Sequence, residues 1–400
     1  MAAGRDPLAV MPHAVCVQIF SAVECVKARA RCAAVSPFWR DKLMEPSLWL
    51  DLDLTADCGW CSEVALRGAT ARARGQLRSL CFSNLRCEDA CAALCDVAAA
   101  NAALRELHDL GFTRYTVEEL EALLAAAPSL SVLNVNVIAD QYGPEARRVL
   151  RGTPPFAPVR VRGLSAHGIE GSGDAVVALA EDISTHQASL TSLEVEAGGA
   201  FAESRAAMDA LVEAALGCRL QRLDILGGGD VRPHCAPALA RLLRNNPRIK
   251  DLSIDNWSTR MLDKPAAVML GAALRACTSI THLSLESIGL FEDPAVAAAL
   301  LAGATGHPSL RVLNLASSRG GEPPELSAAT QAAVGAALAA LVAADAPALE
   351  TLHIGFCGLG DAGLRPVAQA LRRNTHLKQL DCDGNDASEQ CMDDCMVKRR

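Results

Sequence analysis

The sequence predicts an α/β solenoid built from repeated strand–turn–helix units, and three observations lead to this fold class. An L-x-x-L-x-L pattern, often with Val, Ile or Phe in place of Leu, recurs along most of the 400 residues. A stretch rich in Leu and Ala with helical spacing follows the copies. Aromatic residues make up only 4% of the chain, which suits a thin, repeated core in which helices approach closely.

The repeat has a regular period. Clear copies begin at Leu190, Leu220, Ile249, Ile280, Leu310, Leu349 and Leu377, and less regular copies begin at Leu77, Leu104, Leu130 and Phe156. The ten intervals from Leu77 to Leu377 cover 300 residues and average 30. The alternating apolar triplet of each copy predicts a short strand. Such a unit cannot bury its apolar face alone, so neighbouring units must stack.

One copy extends to the longer pattern L-x-x-L-x-L-x-x-C-x-L, formed by Leu349, Leu352, Ile354, Cys357 and Leu359. Residues 363–374 follow with helical spacing. This copy resembles the ribonuclease-inhibitor-like class of leucine-rich repeats, and the resemblance covers roughly residues 75 to 387. It implies a horseshoe with a parallel inner sheet. The long step from Leu310 to Leu349 is predicted to hold a loop insertion around Pro323 and Pro324.

Residues 8–50 do not follow the repeat and are predicted to form a small all-α domain. Pro12 suits a first helical turn, and the pairs Val15/Ile19 and Val35/Trp39, each four residues apart, give apolar stripes on helices. The segment resembles the F-box. The matching residues are Met11-Pro12, Val15, Ile19-Phe20, the stretch from Cys32 through Val35 to Trp39, and Leu48-Trp49.

The F-box resemblance implies that these residues bind a Skp-type adaptor, and through it a cullin, in a cullin–RING ubiquitin ligase. The adaptor-binding residues would be Met11, Pro12, Val15, Ile19, Phe20, Val35, Trp39, Leu48 and Trp49. In that family a C-terminal repeat domain holds the substrate. The predicted organisation is an F-box-like domain at 8–50, a leucine-rich-repeat domain at 51–390 and a tail at 391–400. The alternative is that residues 10–50 only cap the apolar end of the first repeat.

The residues between the strand leucines point to the concave face of the sheet. The predicted substrate-binding set is Glu194, Glu196, Arg222, Asp224, Asp251, Asp255, Trp257, His282, Glu286, Asn314, His353, Asp381 and Asp383. Carboxylates outnumber the cations, and strands about 4.8 Å apart bring them close enough to sum into a negative field. The pattern therefore predicts a basic protein partner, with an ordinary solvated face as the alternative.

Composition narrows the function classes. The formal net charge of −8 argues against a nucleic-acid binder. The sequence shows no secretory signal and no run of 18 apolar residues, so we expect a cytoplasmic or nuclear protein without membrane contact. In that compartment the sixteen cysteines are predicted to be free thiols.

No motif predicts catalysis, a cofactor or a metal. Cys58-x-x-Cys61 lacks room for a redox fold before the repeats begin. Cys58, Cys61, Cys87 and Cys91 could supply four thiolates to a zinc ion. The four-residue spacing of Cys87, Cys91 and Cys95 is more typical of a packed stripe on one helix face. The glycine-rich stretches lack phosphate-loop spacing. We therefore expect a non-enzymatic substrate receptor. The alternative is a repeat scaffold or a GTPase regulator. A GTPase regulator would need an exposed arginine or asparagine on a rim loop, and no pattern distinguishes Arg319 or Asn256 for that role.

Overall fold

The computed structural model describes residues 7–23, 25–55, 61–140, 142–169, 173–186, 189–197, 199–226, 231–255, 262–317 and 326–396. The chain divides into two compact units. The first comprises residues 1–139 and 143–163, and the second comprises residues 140–142 and 164–400. The helical N-terminal segment thus belongs to the same unit as the first repeats.

The first unit begins with three helices and continues as strand–helix repeats. Its elements are α1 His13–Ser21, α2 Val26–Cys32, α3 Pro37–Leu43, β1 Asp51–Asp53, β2 Cys61–Ser62, α4 Glu63–Ala71, β3 Ser79–Phe82, β4 Leu85–Arg86, α5 Ala90–Ala99, β5 Glu106–Asp109, β6 Arg114–Tyr115, α6 Val117–Ala126, β7 Val132–Ala139, α7 Pro144–Leu150 and β8 Val159–Ala166. The last three residues of β8 fall in the second unit.

The second unit alternates strands and helices to its end. Its elements are α8 Gly173–His186, β9 Ser192–Glu196, α9 Ala200–Glu203, α10 Arg205–Gly217, β10 Arg222–Leu226, α11 Ala236–Asn245, β11 Asp251–Asp255, α12 Lys264–Ala276, β12 His282–Glu286, α13 Pro294–Ala304, β13 Val312–Asn314, α14 Ala328–Ala343, β14 Thr351–His353, α15 Gly360–Leu371, β15 Gln379–Asp381 and α16 Glu389–Met396. Helical structure therefore continues past residue 390.

The strands of each unit pair in parallel and in the register that the repeat predicts. In the first unit the order is β1-β3-β5-β7-β8, and Leu52, Leu80, Leu107 and Leu133 lie side by side. In the second unit the order runs from β9 to β15. The aligned leucines there are Leu193, Leu223, Leu252, Leu283, Leu313, Leu352 and Leu380. The α/β leucine-rich-repeat architecture is confirmed.

Phe156 is fully buried immediately before β8, so its copy is a genuine repeat. The structure also adds a strand, β1, before the first copy at Leu77.

Helices of neighbouring repeats approach backbone to backbone. A Cβ atom added to Gly303 would lie 2.2 Å from the carbonyl oxygen of Gly271, and one added to Gly335 would lie 2.2 Å from that of Gly363. Both pairs join consecutive helices, α12 with α13 and α14 with α15. Larger side chains would force these helices apart. The glycines at these four positions follow from this packing.

Buried asparagines bridge consecutive repeats. The Nδ2 of Asn385 donates to the carbonyl oxygens of Ile354 and Cys382 at 2.7 Å each, and its Oδ1 accepts from the amides of Cys357 and Leu359 at 3.1 Å. The side chain is 1% exposed, and all four of its hydrogen-bonding positions are used.

Replacing Asn385 by alanine is expected to lower the free energy of unfolding by about 3 kcal/mol, because four backbone groups lose a buried partner. Urea unfolding followed by circular dichroism measures the loss. Asp383→Asn, on the same turn but exposed, is the matched control and should change stability by less than about 0.5 kcal/mol. Equal stabilities of Asn385→Ala and the control would contradict this role.

The α1–α3 segment is held by short-range capping and internal packing. Ser36 caps α3 by accepting a hydrogen bond from the amide of Trp39 at 3.2 Å, and Pro37 occupies the first turn of that helix.

Throughout the described residues, no helix is long and apolar enough to cross a membrane.

Candidate functional site

The predicted adaptor-binding residues divide into an exposed set and a buried set. Met11, Val15 and Ile19 are 40%, 38% and 38% exposed, and each is four residues from the next. That spacing places them along one side of α1 and the turn before it. We call these three residues the apolar strip. Val35, after α2, is also exposed, at 62%, and Pro12 is exposed beside Met11.

Phe20, Leu48 and Trp49 lie inside the segment, each less than 5% exposed. The half-buried Trp39 packs edge-on against Phe20 with ring centroids 5.2 Å apart. Direct contact between the three buried side chains and an adaptor is therefore not available in this conformation. Their role is corrected to internal packing that positions α1. The four-residue spacing of apolar side chains did not separate the inward face from the outward one.

Trp49 connects the helical segment to the first repeat. Its Nε1 donates to the carbonyl oxygen of Leu43 at 2.8 Å. The guanidinium groups of Arg29 and Arg72 lie 5.5 Å and 4.7 Å from the ring centroid, within the range of cation–π attraction. Arg29 also donates to the carbonyl oxygen of Leu48. Sequence reasoning missed both arginines, since no local pattern links them to Trp49.

On the sheet face of the second unit, most predicted carboxylates have polar partners. Glu194 lies 2.9 Å from Nε2 of His167, and Glu196 lies 3.8 Å from Nδ1 of the same ring. The remaining contacts are Arg222–Asp224 at 2.6 Å, His282–Asp251 at 2.7 Å, His353–Asp381 at 3.3 Å and Asn314–Glu286 at 3.2 Å.

These pairings weaken the predicted negative field. Glu194 and Asp224 are buried as well as paired, so they present little charge to solvent. Glu196 and Asp383 stay exposed, and Asp255 is half-buried. A negative charge for this part of the chain still agrees with the composition. The second unit has 29 acidic and 20 basic residues, whereas the first has 17 acidic and 18 basic residues. Trp257, Asn256, Arg319, Pro323 and Pro324 lie outside the described residues.

Asp224 is a buried carboxyl whose proton binding links the stability of the fold to pH. Burial raises the pKa of this carboxyl, and the hydrogen bond from Arg222 opposes that rise without cancelling it. The native chain therefore binds this proton more tightly than the unfolded chain. The free energy of unfolding falls as pH rises from the pKa of Asp224 in the unfolded chain through its higher pKa in the native chain. In Asp224→Asn we expect the free energy of unfolding to fall less between about pH 4 and pH 7 than in wild type. Urea titrations at these two pH values check it, and a steeper fall would contradict the assignment.

The sheet face of the first unit carries polar residues that the sequence analysis passed over. Nδ1 of His108 lies 2.7 Å from Nδ2 of Asn134, and its Nε2 lies 3.6 Å from Glu106. Arg160 and Arg162 occupy alternate positions on β8, the first exposed and the second half-buried. The same alternation after Leu104, Leu130 and Phe156 contained the signal, but those copies were less regular.

The cysteines behave as packed thiols where they are described. The Sγ atoms of Cys91 and Cys95 are 3.9 Å apart on α5, and burial raises the pKa of Cys91 to about 12. Cys58 lies outside the described part of the chain. Within that part, no group of three or more His, Cys, Asp or Glu side chains has the geometry for a metal ion.

Comparisons with known proteins give structural resemblances only. No protein-family model matches the chain, and no curated protein matches it. The leucine-rich repeat-containing protein LegL7 from Legionella pneumophila is 14% identical, with 86% of this chain and 95% of that chain covered and a TM-score of 0.36. The tropomodulin C-terminal domain of Caenorhabditis elegans is 15% identical, with 50% and 92% covered and a TM-score of 0.28.

A structure of the Rad7 and Elc1 complex in yeast is 15% identical, with 95% of this chain and 90% of that chain covered and a TM-score of 0.38. All three TM-scores lie below 0.5. The assignment of the repeat architecture therefore rests on the strand pairing and the helix positions described above.

Proposed function

We propose that this chain is a non-enzymatic substrate-receptor subunit of a cullin–RING ubiquitin ligase, and that a Skp-type adaptor covers the apolar strip. The observation that carries the proposal is the side-by-side exposure of Met11, Val15 and Ile19 on a segment that has a buried core of its own, formed by Phe20, Leu48 and Trp49. A contiguous apolar surface in water is typical of a partner-binding site. The resemblance of residues 11–49 to the F-box supplies the identity of that partner.

The repeats would hold the target protein. Glu196, the last residue of β9, keeps an exposed side chain on the sheet face of the second unit, and Asp383 is exposed on the turn after β15, which favours a target with a basic surface. The chain itself would form no bond. It would raise the effective concentration of the target near a ubiquitin-loaded enzyme, in the cytoplasm or the nucleus.

Co-expression of the full chain with a Skp-type adaptor tests the proposal. The expected result is a stable complex through affinity purification and size-exclusion chromatography, with the adaptor absent when an unrelated repeat protein replaces this chain. Recovery of the intact chain without adaptor would contradict the ligase assignment. The alternative, an interaction scaffold with a helical N-terminal cap, would then remain.

A further inference from the structure

The loop between β5 and β6 presents two apolar side chains to solvent in the first unit. Phe112 is 82% exposed and Leu110 is 43% exposed. We call residues 110–113 the Phe112 loop. An exposed phenylalanine gains little from burial in the fold, and here it stands two residues from a second exposed apolar side chain on one short loop.

The loop is held by hydrogen bonds along its backbone. The amide of Gly111 donates to Oδ1 of Asp109 at 2.8 Å, and the amide of Phe112 donates to Oδ1 of Asn84 at 3.1 Å. Nδ2 of Asn136 donates to the carbonyl oxygens of Gly111 at 2.7 Å and of Thr113 at 3.2 Å. Three successive repeats therefore fix the loop.

Two further contacts complete the support. Arg162 donates to the carbonyl oxygen of Gly111, and the hydroxyl of the buried Tyr115 donates to Oδ2 of Asp109 at 2.8 Å. A Cβ atom on Gly111 would lie 2.2 Å from the backbone nitrogen of Asn84, so the loop can approach the turn between β3 and β4 this closely only with glycine. Such a loop loses little conformational entropy when a partner binds Phe112.

The charges on the flanking strands identify the kind of partner. On β5, β6, β7 and residues 159–163, the carboxylates are Glu106, which lies beside His108, and the fully buried Asp109. The cations on the same strands are Arg114, Arg160 and Arg162, and the first two are exposed. The loop is therefore an apolar centre with positive charge beside it, and aromatic residues with arginine are typical of the energetic centre of protein interfaces.

We propose that the Phe112 loop is a docking element for a second protein, whose surface offers an apolar pocket rimmed by carboxylates. This site is separate from the apolar strip of α1, and its charge is opposite to that of the sheet face of the second unit. It does not depend on the proposed ligase function, because no residue of the N-terminal helices takes part.

Photo-crosslinking from the loop tests the proposal in the full chain. A benzophenone analogue of phenylalanine replaces Phe112, or in the matched control replaces Phe356, which is 65% exposed in the second unit. The protein captured in cells is identified by mass spectrometry, produced in pure form and titrated against the chain. We expect one partner to be captured from position 112 and not from position 356.

With the purified partner, Phe112→Ala should weaken binding at least about tenfold, whereas Phe356→Ala should leave it within about twofold. Gly111→Ala should also weaken binding although Phe112 is retained, because the loop must move. For the wild-type chain, raising NaCl from about 50 to 500 mM should weaken binding to the partner, as expected when carboxylates of the partner contact arginines of the chain. Adaptor capture by Phe112→Ala should equal that of wild type, which separates this site from the proposed ligase function.

Four outcomes would overturn the proposal. They are equal crosslinking from positions 112 and 356, crosslinking to a second copy of this chain or to nucleic acid, affinity unchanged in Phe112→Ala, and affinity unchanged by salt. Because Phe112 is mostly exposed, Phe112→Ala should keep the wild-type melting temperature. Lost binding in that variant is then attributable to the docking contact and not to unfolding.

Discussion

Replacing Ile19 by glutamate is expected to weaken adaptor binding about thirtyfold or more, or about 2 kcal/mol, because a charge would be buried in the apolar contact. Ile19 is 38% exposed in the free chain, so the substitution should leave the fold intact. Isothermal titration of the purified chain with a Skp-type adaptor measures the effect. Val15→Glu, one helical turn away on the same strip, should act in the same direction.

Val64→Glu is the matched control for Ile19→Glu. Val64 is 83% exposed on α4, in the same unit but outside the N-terminal helices. The same change of charge there should leave adaptor affinity within about twofold. If Val64→Glu and Ile19→Glu lower the affinity equally, the effect is general electrostatic repulsion, and the apolar strip is not the adaptor site.

Trp49→Ala is expected to lower the free energy of unfolding by about 3–5 kcal/mol, the range for removing a large buried aromatic side chain. The variant loses the hydrogen bond to Leu43 and the contacts of Arg29 and Arg72 with the ring. Chemical denaturation followed by circular dichroism measures the loss. Adaptor binding should fall as well, but only as a consequence of the displaced helices.

Trp49→Phe separates packing from the indole contacts. It keeps most of the buried apolar area and should recover more than half of the lost stability. If Trp49→Ala kept wild-type stability while losing the adaptor, Trp49 would be a direct adaptor contact, as the F-box resemblance first implied. A charged residue at position 49 would not distinguish these roles, because it would unfold the segment in either case.

The repeat architecture was predictable because its signal is periodic. Leu223, Leu252 and Leu283 recur at nearly constant spacing and lie side by side in the sheet, since a stack of like units has only one register that buries every leucine. The irregular copy at Phe156 was also predictable. The strand β1 was harder to foresee as the first repeat strand, because it has three residues and precedes the first complete pattern.

The candidate sites were less predictable from residue patterns. The spacing of Val15, Ile19 and Phe20 indicated an apolar helix without revealing that the first two face solvent and the third faces the core. The predicted carboxylates of the sheet face lie on strands, except Asp383, which follows β15. Most of their partners come from other repeats, as His167 does for Glu194 from 27 residues away, and have no local signature.

The sequence by itself determined the period, the strand register and the small residues between helices, because each follows from a requirement that every repeat shares. Only the tertiary structure decided which charges are paired and which apolar side chains are exposed. The Phe112 loop shows the reason. Its supports on Asn84, Asn136 and Arg162 come from different repeats, and stacking alone brings them to one place.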